Sequence, residues 1–294
     1  MGRLVRWAGS PAGWLCRLAG GLVVPARRVR HRRSRSRVTG VAGFARYVAL
    51  GDSQTEGLWD GDDDAGLFGF ADRLALRLSA DNPGFRYANL AIRGNQIRDV
   101  LVDQLPRALS MRPDLVTVCI GMNDVTRPGP GFDGALARLD QVHRTLAGSG
   151  ATVVTTTFPD VARILPIGRV LNTRVLRIND EIRAAAQRYG FGLVDLFDAP
   201  SMAQPETWSV DRVHGSPRGH MLFAAAAAEA LGLPGSSHDW AGVDPSAPPP
   251  SVRSQAYSQV LWTQNMLMPW LWRHVRGRSS GGGRSPRRPV LAPV

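Results

Sequence analysis

The chain has 294 residues, of which 36 are basic and 24 acidic, so its formal net charge is +12. At 44% hydrophobic and 20% charged residues it is too apolar for a disordered protein. It lacks the periodic sequence of collagen or coiled coils, and it has no apolar run of about 18 residues that would predict a membrane-spanning helix. The composition therefore indicates a folded protein with a hydrophobic core.

The positive charge is concentrated at the two ends of the chain. Residues 1–37 contain ten arginines and no acidic residue, and residues 235–294 contain seven arginines and two aspartates. Residues 38–234 carry 19 arginines and 22 acidic residues, a net charge of −3. The sequence thus predicts a mildly acidic body with two basic flanks, and a body of this size suits one domain.

We divide the chain into an N-terminal extension (1–44), a domain (45–233) and a C-terminal tail rich in Pro, Trp and Arg (234–294). The extension does not fit a secretory signal, because Pro11 and Arg17 interrupt its apolar part and its densest basic run follows that part. We expect a cytoplasmic protein, with export as the weaker alternative. A true start codon near residue 38 or 41 is a further alternative.

The domain shows alternating strand and helix patterns. In chain order we predict strand 46–50, helix 70–79, strand 85–91, helix 97–105, strand 115–120, helix 132–147, strand 152–158, helix 170–189, strand 192–197 and helix 217–231. The strands are apolar throughout, which is typical of a parallel sheet covered on both faces. The pattern predicts an α/β fold, a three-layer α/β/α domain with a five-stranded parallel sheet.

Ligands of such sheets bind beyond the carboxyl ends of the strands. Three loops that follow strands, and one loop before the last helix, carry residues suited to catalysis. A serine becomes a nucleophile when a base accepts its proton, and a histidine base is oriented by a third group. Asp211 and His214 are three residues apart, so a tight turn can place both side chains on one side. The sequences of the four loops are Gly51-Asp52-Ser53, Arg93-Gly94-Asn95, Gly121-Met122-Asn123-Asp124 and Asp211-Arg212-Val213-His214.

On these motifs, residues 45–233 resemble the GDSL lipase/esterase family, also called the SGNH hydrolases. The resemblance implies a flavodoxin-like fold and a serine ester hydrolase that uses a small-molecule ester, forms an acyl-enzyme, and needs no cofactor or metal. It implies that Ser53 is the nucleophile, His214 the general base and Asp211 the residue that orients His214. It further implies an oxyanion hole made by the Ser53 amide, the Gly94 amide and the Asn123 side chain. Acyl transfer to another alcohol is the alternative on the same scaffold.

A hypothesis of a different class concerns the flanks, in which arginine and tryptophan occur together. Such sequences suit peripheral contact with an anionic membrane surface, and they equally suit a tail that packs on its own domain. We do not expect nucleic acid as a partner, and the sequence gives no oligomeric state. Six of the eight tryptophans lie in the flanks: Trp7, Trp14, Trp240, Trp262, Trp270 and Trp272.

Some features near the motifs have simpler interpretations. The acidic loop 60–64 is expected to be solvated, and His220 is expected to be structural. Trp59, Phe158 and Trp208 are candidates either for lining a substrate pocket or for ordinary packing.

Overall fold

The computed structural model describes residues 43–64, 66–80, 82–164, 168–245 and 283–294. The predictions for the N-terminal extension and for most of the C-terminal tail fall outside these residues. Within the described ranges, no helix has both the length and the apolar character that a membrane span requires.

The described residues form eight strands and nine α-helices. The strands are β1 (Arg46–Gly51), β2 (Gly61–Asp62), β3 (Gly66–Leu67), β4 (Arg86–Asn89), β5 (Leu115–Cys119), β6 (Thr152–Thr156), β7 (Gly192–Val194) and β8 (Arg288–Ala292). The helices are α1 (Ser53–Glu56), α2 (Phe70–Ser79), α3 (Ile97–Asp99), α4 (Leu105–Ser110), α5 (Met122–Thr126), α6 (Phe132–Ala147), α7 (Val161–Ile164), α8 (Gly168–Tyr189) and α9 (Pro217–Ala230).

The main sheet has the order β7-β6-β5-β1-β4-β8, and its first five strands are parallel. If the parallel strands β1, β4, β5, β6 and β7 are numbered 1 to 5 in chain order, they lie in the flavodoxin-like order 2-1-3-4-5. Strand 2 lies on one side of strand 1 and strands 3 to 5 lie on the other, so the order of the strands changes direction between β1 and β5. Helix α2 packs against α9, and α6 packs against α8. The predicted three-layer α/β fold is confirmed, and its switch point lies where the loops after β1 and β5 meet.

The predicted number of strands was wrong, because the sheet has six. The sixth strand, β8, pairs antiparallel with β4 and comes from the C-terminal tail, in which we predicted no strand. Its residues alternate little and include Pro289, so the local pattern does not indicate a strand. Residues 235–245 also pack on the domain, where Trp240 and Ala241 are buried in the core.

Four of the parallel strands, β1, β4, β5 and β6, are buried along almost their whole length, as their apolar sequences predict. Tyr47 on β1 stacks on Tyr87 on β4 with 5.0 Å between the ring centroids, and its hydroxyl lies 2.8 Å from the Thr117 hydroxyl on β5. Helices α2 and α6 have the predicted bounds. The helix predicted at 97–105 is instead α3, a π-helical turn at Val100–Gln104, and α4. A π-turn inserts one residue per turn and so changes where a side chain points.

Candidate active site

The turn after β1 presents Ser53 at the start of α1. Gly51 closes the strand at a point where a Cβ atom would collide with the carbonyl oxygen of Cys119 on β5, so only glycine fits. The side-chain amide of Gln104, in the π-helical turn, donates to the Gly51 carbonyl at 2.8 Å and accepts from the Gly51 amide at 2.9 Å. Asp52 caps α1 by accepting from the Gln54 amide at 3.2 Å. These bonds fix the backbone that carries Ser53.

Ser53, His214 and Asp211 form a continuous chain of hydrogen bonds. His214 Nε2 lies 2.7 Å from Ser53 Oγ, and His214 Nδ1 lies 2.6 Å from Asp211 Oδ2. A carboxylate at Nδ1 favours the tautomer with a proton on that nitrogen, which leaves Nε2 free to accept the serine proton. The geometry is therefore that of a nucleophile, a base and an orienting acid.

Asp211 is held in place from several directions. Its Oδ1 accepts from the Ser209 hydroxyl at 2.6 Å and from the amides of Val213 and His214 at 2.9 and 3.0 Å. Burial alone would raise the pKa of the Asp211 carboxyl, but the bonds from His214 and Ser209 outweigh burial and hold that pKa well below its usual value. Asp211 is therefore a fixed negative charge beside the imidazole at neutral pH.

Asn123 follows β5 and reaches across to the Ser53 turn. Its Nδ2 donates to the Asn95 carbonyl at 2.8 Å and to Asp52 Oδ2 at 3.2 Å. Burial raises the pKa of Asp52 to about 7, against the lowering effect of the Gln54 amide. The side-chain amide of Asn123 is thus oriented between the loop after β4 and the turn that carries the serine.

Gly94 lies in the loop after β4 with a φ of +82°, a backbone conformation that favours glycine. Its neighbour Arg93 ties this loop to α1. The Arg93 amide donates to Glu56 Oε2 at 2.7 Å, and the Arg93 guanidinium lies 2.9 Å from Glu56 Oε1. Both side chains of this ion pair are largely shielded from solvent. The structure therefore fastens the Gly94 loop to the helix that begins at Ser53.

The structure brings all five predicted site residues to the carboxyl ends of β1, β4 and β5. The three aromatic candidates lie in different environments. Trp59 contacts the site, since its Nε1 donates to Asp211 Oδ2 at 2.7 Å. Phe158 and Trp208 are buried in the core, and Trp208 Nε1 donates to the Met202 carbonyl.

The acidic loop differs in part from the expectation of a solvated segment. Asp60 is buried and forms an ion pair with Arg73 at 2.6 Å. Asp63 is exposed and pairs with Arg93 and Arg284. Among the described residues, no three His, Cys, Asp or Glu side chains gather as they would around a metal ion.

Sequence reasoning missed several residues that support the site. Glu56 and Gln104 reach their partners only through the folded chain, whereas Ser209 bonds to Asp211 two residues further along. The residues around Gln104 in the sequence do not indicate that this polar side chain is buried. Glu56 offered a weak signal, since a carboxylate three residues after Ser53 lies on the same short helix.

The sequence profile of the GDSL-like Lipase/Acylhydrolase family matches residues 49–222, which is more than half of the chain. No protein among the curated sequences matches the chain.

The solved structures that share the fold include LAE5, Axe2 and TesA. LAE5, described as an alpha/beta hydrolase enzyme from the metagenome of Lake Arreo in Spain, is 25% identical with a TM-score of 0.54, over 64% of this chain and 95% of that chain. Axe2, described as an acetylxylan esterase from Geobacillus stearothermophilus, is 22% identical with a TM-score of 0.53, over 64% of this chain and 94% of its own. TesA is 21% identical with a TM-score of 0.52, over 63% of this chain and 97% of its own.

The last two likenesses, under 25% identity, show the fold alone, whereas the family profile covers the loops at the switch point of the sheet. The match begins at the end of β1 and runs into α9, so it includes the Ser53 turn, the Gly94 and Asn123 loops and the Asp211–His214 turn. The chain belongs to the GDSL-like lipase/acylhydrolase family and is a carboxylic ester hydrolase.

Proposed function

We propose that the protein hydrolyses a small carboxylic ester through an acyl-enzyme on Ser53, with His214 as the general base and acid and Asp211 as the residue that orients His214. The observation that carries this proposal is the hydrogen-bond chain of 2.7 Å from Ser53 Oγ to His214 Nε2 and 2.6 Å from His214 Nδ1 to Asp211 Oδ2.

The reaction has two halves that use the same proton relay. Ser53 Oγ attacks the ester carbonyl while its proton moves to His214 Nε2, and a tetrahedral intermediate forms. The alcohol leaves with the proton from Nε2, and the acyl group stays on Ser53. Nε2 then takes a proton from water, the hydroxide attacks the acyl carbon, and Ser53 regains a proton as the acid departs. The carboxylate of Asp211 keeps its charge throughout and stabilises the imidazolium.

The charge that develops on the carbonyl oxygen requires hydrogen-bond donors. We assign this role to the amides of Ser53 and Gly94 and to Nδ2 of Asn123. Asn123 lies beside the serine turn, and its Nδ2 donates to the oxyanion by giving up the longer of its two bonds, that of 3.2 Å to Asp52 Oδ2, while the Asn95 carbonyl keeps it oriented. Loss of one such donor typically costs about 3–4 kcal/mol of transition-state stabilisation.

We propose an ester with a short acyl group as the substrate class to test first. Axe2, which shares the fold, is described as an acetylxylan esterase. The half-exposed indole of Trp59 beside the Asp211–His214 pair offers an apolar surface at the mouth of the site.

The test is a panel of p-nitrophenyl esters from acetate to dodecanoate, assayed with the wild-type enzyme, Ser53→Ala and His214→Ala. We expect turnover to be fastest for short acyl chains and to fall by about 10³-fold or more in both variants. A fluorophosphonate should label wild-type Ser53 and leave Ser53→Ala unlabelled. Hydrolysis that survives in Ser53→Ala would contradict the assignment of the nucleophile.

A further inference from the structure

Trp59 shares an oxygen atom of Asp211 with His214. The Trp59 indole Nε1 donates to Asp211 Oδ2 at 2.7 Å, and His214 Nδ1 lies 2.6 Å from the same oxygen. Trp59 follows the serine helix, whereas Asp211 lies 152 residues further along the chain. The oxygen that orients the base therefore receives a second donor from the nucleophile side of the site.

The conformation of Trp59 indicates that its side chain is placed for this bond rather than for packing. Its backbone has a φ of +72°, which is strained for a residue other than glycine. Its side chain remains 42% exposed, although tryptophan is a residue that usually gains from burial. Strain of this kind persists where the surrounding structure enforces it, and it tends to occur at functional sites.

His220 holds the segments on both sides of Trp59. Its Nδ1 accepts from the Phe70 amide at 3.2 Å, which assigns the ring proton to Nε2, and Nε2 then donates to the Leu58 carbonyl at 3.2 Å. Burial lowers the pKa of His220 to about 4, so this tautomer is uncharged at neutral pH.

The residue after Trp59 is fixed as well. The Asp60 carbonyl accepts from the Phe68 amide at 2.7 Å, and the Asp60 carboxylate pairs with Arg73. Trp59 therefore projects from a short segment that is held at Leu58, at Asp60 and at the start of α2.

We propose that Trp59 is a positioning residue for the Asp211–His214 pair, acting through the hydrogen bond from its indole to Asp211 Oδ2. This inference rests on the proposed function, since it assigns a role in the same proton relay. Trp59 does not exchange a proton with the substrate and is not itself a catalytic residue.

The bond has two physical effects on the relay. It prevents rotation of the carboxylate, so Oδ2 stays in line with His214 Nδ1 when the imidazole accepts the serine proton. It also withdraws negative charge from Oδ2, which weakens the hold of the carboxylate on the imidazolium and helps it pass its proton to the leaving alcohol. Among the described residues, Asp52 and His220 also interact electrostatically with the His214 imidazole.

The test is Trp59→Phe, which keeps the ring and removes the donor. We expect kcat for p-nitrophenyl acetate to fall about tenfold with KM unchanged, because a hydrogen bond to a charged group is lost and the substrate contact is kept. We also expect the acid limb of the kcat/KM profile to move to higher pH, because the Asp211 carboxylate then carries more of its negative charge. The low-field proton NMR signal of His214 Nδ1–H should shift in the same variant.

Trp240→Phe is the matched control, because Trp240 Nε1 also donates to a carboxylate, that of Glu229, which lies at the C-terminal end of α9. It should leave kcat and the pH profile unchanged. Trp59→Asn is the second variant, since asparagine tolerates positive φ and would fold even if the aromatic variant did not. It should lose kcat in the same way.

The outcomes separate this inference from the proposed function. The role of Trp59 would be overturned if Trp59→Phe kept the wild-type kcat and pH profile. If Trp59→Phe does not fold, the same result in Trp59→Asn would overturn it. An inactive Ser53→Ala would in either case uphold the acyl-enzyme. An active Ser53→Ala would overturn the proposed function itself. Equal losses in Trp59→Phe and Trp240→Phe would also overturn the inference, because they would indicate a general structural effect.

Discussion

The carboxyl ends of the parallel strands and the outer edge of the sheet at β8 are built in different ways. At the carboxyl ends, side chains lie within a few residues of the strand that carries them: Ser53 follows β1 by two residues and Asn123 follows β5 by four. At the outer edge, β8 pairs with β4 although almost 200 residues separate them along the chain. Local sequence therefore places Ser53 and Asn123, whereas contacts across the chain place both the Asp211–His214 turn and β8.

The two regions also use charge differently. At the carboxyl ends the charges are largely buried and paired, as with Glu56 and Arg93. At the outer edge arginines of the C-terminal segment contact the acidic body, with Arg284 3.1 Å from Asp63 and Arg287 donating to the Glu56 carbonyl at 2.8 Å. In this described part of the tail, positive charge is directed to the protein's own domain. The comparison predicts that changes at the carboxyl ends alter turnover, whereas changes at β8 alter stability.

Asp211→Asn should have the largest effect on turnover. An amide at this position removes the fixed negative charge and favours the wrong tautomer of His214, so kcat should fall by about 10⁴-fold. The fold should persist, because the variant is isosteric. Ester hydrolysis and thermal unfolding measured on the same preparation check this. A loss of thermal stability in proportion to the loss of activity would contradict the separation of the two regions.

Removal of residues 283–294 should have the largest effect on stability. The deletion uncovers the edge of β4, removes the ladder with β8 and takes away the arginine contacts, so we expect a loss of about 3 kcal/mol and a fall in Tm of about 6–12 °C. An uncovered strand edge also favours association of copies, which size-exclusion chromatography would detect. At a temperature where the variant is folded, its kcat should be close to that of the wild type. A large loss of kcat without a change in Tm would show that β8 acts on the site.

The same contrast explains what the sequence could predict. Three of the four motifs locate the site because each follows its strand closely, and the fourth, Asp211–His214, comes just before α9. Five apolar runs predict the five parallel strands. Strand β8 escapes prediction because Arg288-Pro289-Val290-Leu291-Ala292 gains its hydrogen bonds only from distant β4. The contacts of Trp59 with Asp211 and of Gln104 with Gly51 escape for the same reason. The catalytic roles of Ser53, His214, Asp211, Gly94 and Asn123 stay predictions that the kinetic tests address.

Acid should destabilise the protein through two buried histidines, His143 and His220. Burial lowers the pKa of His143 and of His220 to about 4, so both are neutral in the folded protein. The unfolded chain binds protons at these groups below about pH 6.5, and stability that is present above that pH is lost as pH falls towards 4. Each histidine should contribute up to about 2 kcal/mol to the difference between pH 7 and pH 5.

Variants of the two histidines should separate stability from activity. His143 lies on α6, where its Nε2 is 3.2 Å from the Thr155 hydroxyl, far along the chain from the site motifs. His143→Gln should reduce the acid sensitivity in urea unfolding and leave kcat unchanged. His220→Gln should also reduce the acid sensitivity of stability. In this variant kcat should fall as well, because Leu58 and Phe70 lose the ring that fixes the segment around Trp59. Equal kcat in both variants would contradict the prediction that only His220 supports the active site.

Arg287→Ala should have the smallest effect and should test the boundary between the two regions most directly. Arg287 lies on the segment before β8, yet it donates to the carbonyl of Glu56, the residue that pairs with Arg93 beside Gly94. Loss of this bond should cost about 1 kcal/mol and lower Tm by about 2–4 °C. Arg288→Ala is the matched control, since Arg288 reaches Asp72 at 3.7 Å and does not contact the serine helix. If the outer edge serves stability alone, both variants lower Tm slightly and keep kcat. A fall in kcat confined to Arg287→Ala would instead mean that the C-terminal segment helps to fix α1, and with it the serine and the Gly94 loop.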